Sequence, residues 1–229
     1  MSYDKTKTSP VLGEEIHAKL IKLGVETPTT KTLTSLSNKE KIEKIEKLMT
    51  EVWQTLGMDL TDDSLVETPK RIAKMMVLDH YWGLLPENFP KNTTILNKVD
   101  CDEMITLSDI PVMSNCEHHG IVFTGTAVVS YVPGKKVIGL SKLNRVVEYF
   151  SRRPQVQERL TSQIFYALSH LLGIDDIAIA IRAQHYCMIS RGVESPNTWT
   201  MTTKLGGSFK TKPETRSEFL DTVHSSFKY

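Results

Sequence analysis

Ile177, Ile179, Ile181, Ala183, His185 and Cys187 occupy alternate positions, and in a regular strand that parity places all six on one face. A face carrying this many apolar side chains has to be covered, so the strand belongs to a sheet with helices packed over it. The apolar run ends in an imidazole and a thiol. Both can hold a metal ion.

The flanking segments supply the cover. Leu12, Ile16, Leu20 and Leu23 recur at helical spacing with Gly24 after them, which predicts a helix over 10–24. The Ser/Thr-rich stretch from Thr27 to Ser37 has no period and reads as a linker or surface excursion. Ser37 and Glu40 then form a capping box, and Ile42, Ile45, Leu48, Met49, Val52 and Leu56 line one helix face up to Gly57. The Lys/Glu run between 39 and 47 is the wet face of that helix. Thr68 as cap and Pro69 as first helical residue start another, running through Ile72 and Met75 to Gly83.

Beyond residue 103 the period changes. Ile121 to Val132 is rich in Val, Thr and aromatics, and Pro133-Gly-Lys-Lys136 is expected to turn it into Val137–Leu140 as a hairpin. A short helix follows from Ser141 to Phe150, Arg153-Pro154 breaks it, and a longer one from Gln155 to Leu172 buries Val156, Leu160, Ile164, Leu168 and Leu171 before Gly173. Trp199–Thr203 reads as a strand and Glu214–Val223 as a last helix. The class is α+β, an antiparallel sheet with helices collected on one side, preceded by a helical region. The expected division is an N-terminal helix and linker over 1–36, a helical region over 37–95 and the sheet-bearing domain over 96–229.

Charge and cysteine content narrow the function. Lys and Arg number 28 against 27 Asp and Glu, a net +1, which argues against a chain that grips nucleic acid through its phosphates. The start has no apolar signal core, and no stretch reaches the ~18 apolar residues that cross a bilayer. A soluble cytoplasmic protein without membrane partner is expected. Three cysteines, Cys101, Cys116 and Cys187, make a disulfide scaffold a poor reading and leave burial, catalysis or metal binding for each.

Asn115-Cys-Glu-His-His119 is the densest group of ligand-type side chains. Cys116-x-x-His119 lets a thiolate and an imidazole reach one ion, with Cys187 as third ligand from a neighbouring strand. Three N/S ligands suggest zinc with an open fourth position, the catalytic pattern. Cys101 competes for the third place, and Cys187 is preferred because His185 accompanies it. His118 reads as a further ligand, as a satisfied surface histidine or as a proton donor beside the metal. His185 reads as a packed strand residue or as part of the site.

A second constellation is Gly139-Leu-Ser141-Lys142-Leu-Asn-Arg145, where a strand end delivers Ser141, Lys142 and Arg145 to the first turn of a helix. Free N–H groups and the helix dipole favour an anion there, and polyphosphate fits; basic side chains pointing to water are the alternative. Arg191, four residues past Cys187, can add charge. Glu158, beside Gln157 in a helix first turn, reads as a favourable acid at that position or as a carboxylate accepting two N–H groups of a guanine-type edge. Gly206-Gly207 reads as turn chemistry.

Cys116-Glu-His-His119, Tyr131-Val-Pro133, Val137-Ile-Gly-Leu-Ser-Lys142, Arg153-Pro-Gln-Val-Gln-Glu-Arg-Leu160, His185-Tyr-Cys187, Arg191-Gly192, Leu205-Gly-Gly207 and Thr68-Pro-Lys-Arg71 occur in an order and spacing that resembles the GTP cyclohydrolase I family, over roughly residues 38 to 225. The resemblance implies hydrolysis of GTP to formate and 7,8-dihydroneopterin triphosphate, the first step towards tetrahydrofolate or tetrahydrobiopterin, with one Zn2+ per active site activating water for attack on C8 of guanine. It implies Cys116, His119 and Cys187 as ligands, His118 protonating N7, His185 assisting proton transfer and Ser141 near the ribose. Glu158 with Gln157 would hold the guanine edge. Lys142, Arg145 and Arg191, with Arg71 from another subunit, would neutralise the triphosphate. It further implies the tunnelling fold and a homodecamer with sites at subunit junctions.

Two departures stand out. Gly120 follows the His pair where a larger apolar side chain is expected, and Asn197-Thr-Trp199-Thr-Met201 replaces a more uniform Ala/Thr run. A noncatalytic zinc-stabilised module and another tunnelling-fold enzyme of pterin or deazaguanine metabolism are the competing readings. Glu158, Lys142 and Arg145 disfavour the first. Cys116 with Cys187 disfavours the second.

Overall fold

The longest unbroken pairing in the chain joins segments rich in β-branched residues. In the computed structural model, which describes residues 4–30, 35–192 and 194–227, two short strands come first, β1 (Thr94–Leu96) and, after the long β2 (Ile105–Cys116) and β3 (Val122–Tyr131), β4 (Lys136–Ile138). Helix α4 (Leu140–Ser151), a two-residue β5 (Pro154–Gln155), helix α5 (Gln157–Leu172), β6 (Ile177–His185), the single helical turn α6 (Tyr186–Ile189) and β7 (Thr200–Leu205) follow. The chain ends in α7 (Gly207–Thr211) and α8 (Pro213–Ser226). Strand order in the main sheet is β5-β2-β3-β6-β7. Its pairs are antiparallel except β2 with β5.

β6 is buried on both faces. Ile177, Ile179, Ile181 and Ala183 pack with Leu143, Val147, Leu160, Ile164 and Leu168 of α4 and α5. Each such fully buried aliphatic side chain contributes about 1.5–3 kcal/mol. On the other face Ala178 and Ala180 are small enough to admit Phe209, Phe219 and Val223 from α7 and α8. The C-terminal helices thus cover part of the face opposite the two expected ones.

Among the described residues three α-helices precede this core. Helix α1 (Pro10–Lys22) buries Ile16 and Leu20 against it. In α2 (Asn38–Thr55) the capping box forms as expected, with Ser37 N donating to Glu40 Oε2 at 2.7 Å. The helix that follows it packs on its apolar face, but the cover is partial: no α2 residue is buried, and Leu48, Val52 and, just after the helix, Leu56 are exposed. Helix α3 (Thr68–Lys74) continues into a π-helical turn, Met75–His80.

Several sequence expectations need correction. The hairpin from Val132 to Leu140 does not form. Both edges of β3 are taken, by β2 and β6, so β4 turns away and pairs with β1. Cys187 is not on the strand; β6 stops at His185 and Cys187 sits on α6. Glu67 precedes α3, leaving Thr68 as a helical residue without a cap bond. Helix α5 begins at Gln157 because Pro154 and Gln155 pair with Asn115 and Cys116. The start of the supposed linker is packed, with Thr27 buried, whereas residues 31–34 of that stretch lie outside the described residues.

Candidate metal centre

β2 carries Cys116 to its last position, where the chain must reverse to begin β3. Gly120 N donates to Cys116 O at 2.8 Å, and Asn115 Nδ2 to Gly120 O at 3.2 Å, closing a tight turn that holds His118 and His119 above the strand end. Gly120 has φ +67°, the left-handed region. A side chain there is strained, which is the physical reason for glycine at this position. The sequence departure therefore suits the backbone this turn adopts.

From the other side, β6 pairs with β3 so that His185 lies opposite Phe123, and α6 brings Cys187 back towards Cys116. The donor atoms of Cys116, His119 and Cys187 lie within 4.8 Å of one another. Tetrahedral Zn–S and Zn–N bonds need donors roughly 3.5–3.8 Å apart, so a small inward adjustment closes the set. Burial and the adjacent Cys116 push the Cys187 thiol up, against the pull of Arg191. A divalent cation between the sulfurs reverses that balance. Cys116 is buried, Cys187 half-buried and both His118 and His119 are exposed, so one side of the trio opens to solvent. His118 Nδ1 is 3.7 Å from Cys116 Sγ, as is His119 Nδ1.

A family model described as GTP cyclohydrolase I matches residues 45–224 of this chain. The chain belongs to the GTP cyclohydrolase I family. It is 54% identical over 205 residues to the GTP cyclohydrolase 1 of Aeromonas salmonicida, covering 90% of this chain and 93% of that one. It is 49% identical over 217 residues to the GTP cyclohydrolase 1 of an Enterobacter species, with 93% and 98% covered. The corresponding protein of Shewanella amazonensis is 51% identical over 207 residues.

In this chain the imidazole of His185 is held on two sides. It stacks on Phe123, ring centroids 4.5 Å apart, and its Nε2 meets Gln157 Oε1 at 2.9 Å. Gln157 Nε2 faces the carbonyls of Ile181 and Thr200 at 3.0 and 3.1 Å, which fixes the amide so that its oxygen points at His185. His185 Nε2 therefore carries the proton and donates it, leaving Nδ1 as the acceptor. Burial lowers the pKa of this ring, with Glu158 pulling the other way. Gln157 thus spends its amide inside the chain, in place of the expected contact with a guanine edge. Glu158 is exposed beside His185.

Three contacts at the site join residues that no local spacing connects. Glu117, between two ligand candidates, pairs with Arg159 through both carboxylate oxygens. Its N–H donates to Gln155 O at 3.0 Å. Phe123 stacks on His185 only because the β3–β6 register places them opposite. A charge complement between Glu117 and Arg159 was the one available signal.

The second constellation is elsewhere. Ser141, Lys142 and Arg145 lie on α4 near the Tyr131 end of β3, where Ile138 N donates to Tyr131 Oη at 3.4 Å. The nine residue steps from Val122 to Tyr131 span roughly 30 Å of strand. Lys142 Nζ donates to Lys91 O at 3.1 Å, and burial together with Arg145, Lys91 and Lys7 pushes its ammonium pKa down. The structure brings Cys116, His118, His119, Cys187, His185 and Glu158 together with Arg191 close by. It leaves Ser141, Lys142 and Arg145 at the far end and Arg71 exposed on α3. Ser208 N donates to Asp176 Oδ1 at 2.6 Å, so the Gly206-Gly207 turn is closed by the chain's own carboxylate.

Gly120→Ala tests the turn. A Cβ there meets nothing within 4 Å, so the cost is purely conformational, about 1–2 kcal/mol. We expect a lower thermal midpoint and weaker zinc binding by competition titration. A variant as stable as the parent would show that the left-handed turn is not needed.

Proposed function

We propose that this protein opens the imidazole ring of GTP, releasing C8 as formate and yielding 7,8-dihydroneopterin triphosphate, with the Cys116–His119–Cys187 trio holding Zn2+. The convergence of two thiols and an imidazole, with His185 and Glu158 beside them, carries this reading. Two sulfurs and one nitrogen suit zinc and leave one position open. When bound, the ion supplies a Lewis acid that brings the pKa of water towards neutrality.

The remaining work falls to side chains. Glu158 accepts the N–H groups of the guanine edge and so sets which atom of the purine faces the metal. A base lacking that edge leaves the carboxylate unpaired. His118, exposed above the trio, donates a proton to N7 as the ring opens. His185, neutral and protonated at Nε2, accepts a proton at Nδ1. Gln157 positions it. Ser141 contacts the ribose, and Lys142, Arg145 and Arg191, with Arg71 from another copy, balance the triphosphate charge.

Sites shared between copies follow from the distance between the two constellations. Among the described residues β2 beyond its two β5 partners and the outer side of β7 are open edges, and α2 leaves Leu48 and Val52 exposed. Closing such edges against neighbouring copies removes them, in keeping with a homodecamer. The division into 1–36, 37–95 and 96–229 belongs to the same reading, with the last segment carrying all three metal ligands. Among the described residues no helix is long and apolar enough to cross a membrane. A cytoplasmic location is part of the proposal.

Incubation with GTP and zinc, followed by oxidation, should give neopterin fluorescence and formate; neither product from metal-replete protein would defeat the assignment. Mixing supplies a second test. Cys187→Ser and Lys142→Ala chains, each inactive alone, should recover activity when unfolded and refolded together, because some junctions then combine an intact metal trio with an intact Lys142. No recovery in mixed assemblies would place both constellations in one chain's site.

A further inference from the structure

Among the described residues the N-terminal segment supplies none of the three candidate ligands, yet it carries a buried charge behind the metal turn. Glu26 Oε1 lies 2.5 Å from Arg153 Nη1, and their side chains are 9% and 3% exposed. The guanidinium carbon sits 4.6 Å from the Tyr149 ring centre and 4.7 Å from that of Phe150. Glu26 Oε2 meets His17 Nδ1 at 3.0 Å, and Thr27 N donates to Oε1 at 2.8 Å. Gln163 of α5 joins in: its Nε2 donates to Val25 O at 2.9 Å and its Oε1 accepts from Gln155 Nε2 at 2.7 Å.

From these residues the path to the metal turn is short. Ser114 Oγ donates to Arg153 O at 3.1 Å. Gln155 pairs with Cys116, and its carbonyl accepts from Glu117 N at 3.0 Å. β5, the strand making these contacts, is only two residues long. A pairing of that length does not hold its own position, so something behind it must.

Stability alone explains the network poorly, since a buried ion pair often gains nothing over apolar packing of the same volume. What charges and paired amides add is a single register. We propose that residues 25–27 are a strap that fixes β5 and, through it, the Cys116–Gly120 turn, making Glu26, Arg153 and Gln163 positioning residues for the metal centre. The inference rests on the reading of Cys116, His119 and Cys187 as that centre.

Two variants of the full chain test it. Gln163→Met keeps the volume and removes both the bond to the strap and the acceptor for Gln155; Glu26→Gln keeps the shape and removes the charge. Amide hydrogen exchange of peptides covering 115–121, without added metal, should quicken about tenfold in both variants, while peptides within 124–130 and 178–183 keep their protection. Zinc transfer from the loaded protein to a chromogenic chelator should quicken by about ten- to a hundredfold. A lowered melting temperature with unchanged exchange in the turn would make the strap simple packing and overturn the proposal. If Glu26→Gln does not fold, Gln163→Met decides. If the unsubstituted chain takes up no zinc, the metal reading fails, and the exchange experiment still decides the strap.

Discussion

Cys116→Ser or Cys187→Ser is expected to leave a folded chain with almost no bound zinc and with turnover reduced by about three orders of magnitude or more. A serine hydroxyl is a poor ligand at neutral pH, so only two strong donors remain, and two do not define a tetrahedral site. The two positions test different parts of the construction. Cys116 ends a strand that is paired here with β5 on one side and, through Asn115, with β3 on the other, so its replacement should leave the backbone in place. Cys187 sits on α6, a four-residue helical turn, and its replacement removes the one ligand that arrives from the far side of the sheet. Metal analysis and formate release measure both effects. Zinc retained at one per chain in either variant would show the ligand set to be wrong.

His118→Ala should behave in the opposite way, keeping the metal and losing about two to four orders of magnitude in kcat, the range for a positioned general acid. His118 lies next to a ligand in sequence and its Nδ1 is 3.7 Å from Cys116 Sγ. The converging trio, however, takes His119. The split between metal content and rate distinguishes the two imidazoles. Unreduced rates from His118→Ala would remove it from the proton path, and zinc loss would make it a ligand.

Residues that act through near neighbours were readable beforehand. The Ser37–Glu40 box, the helical spacing of Leu160, Ile164 and Leu168, and Cys116-x-x-His119 each depend on positions a few residues apart. Parity along β6 was equally plain, since alternation survives whatever lies alongside. What failed depends on partners far along the chain. Pro133-Gly-Lys-Lys136 looks like a hairpin turn locally, but β3 has no edge to spare once β6 is in place. Glu26 and Arg153 are strangers in sequence and neighbours in space. The α2 periodicity gave an apolar face correctly and could not say that α3 would cover only part of it, leaving Leu48 and Val52 exposed. Glu158 and Ser141 were picked out by residue type and motif. Their placement towards opposite ends of the sheet comes only from strand direction.

The ligand trio also sets a timetable. Cys116 and His119 emerge from the ribosome long before Cys187, and the ion's place between them closes only after β6 has been made, paired with β3 and turned through α6. On the proposed ligand set, loading with metal thus waits for four of the five strands of the main sheet, with β7 still to come, and a translation product cut short before α6 is left unable to bind the ion.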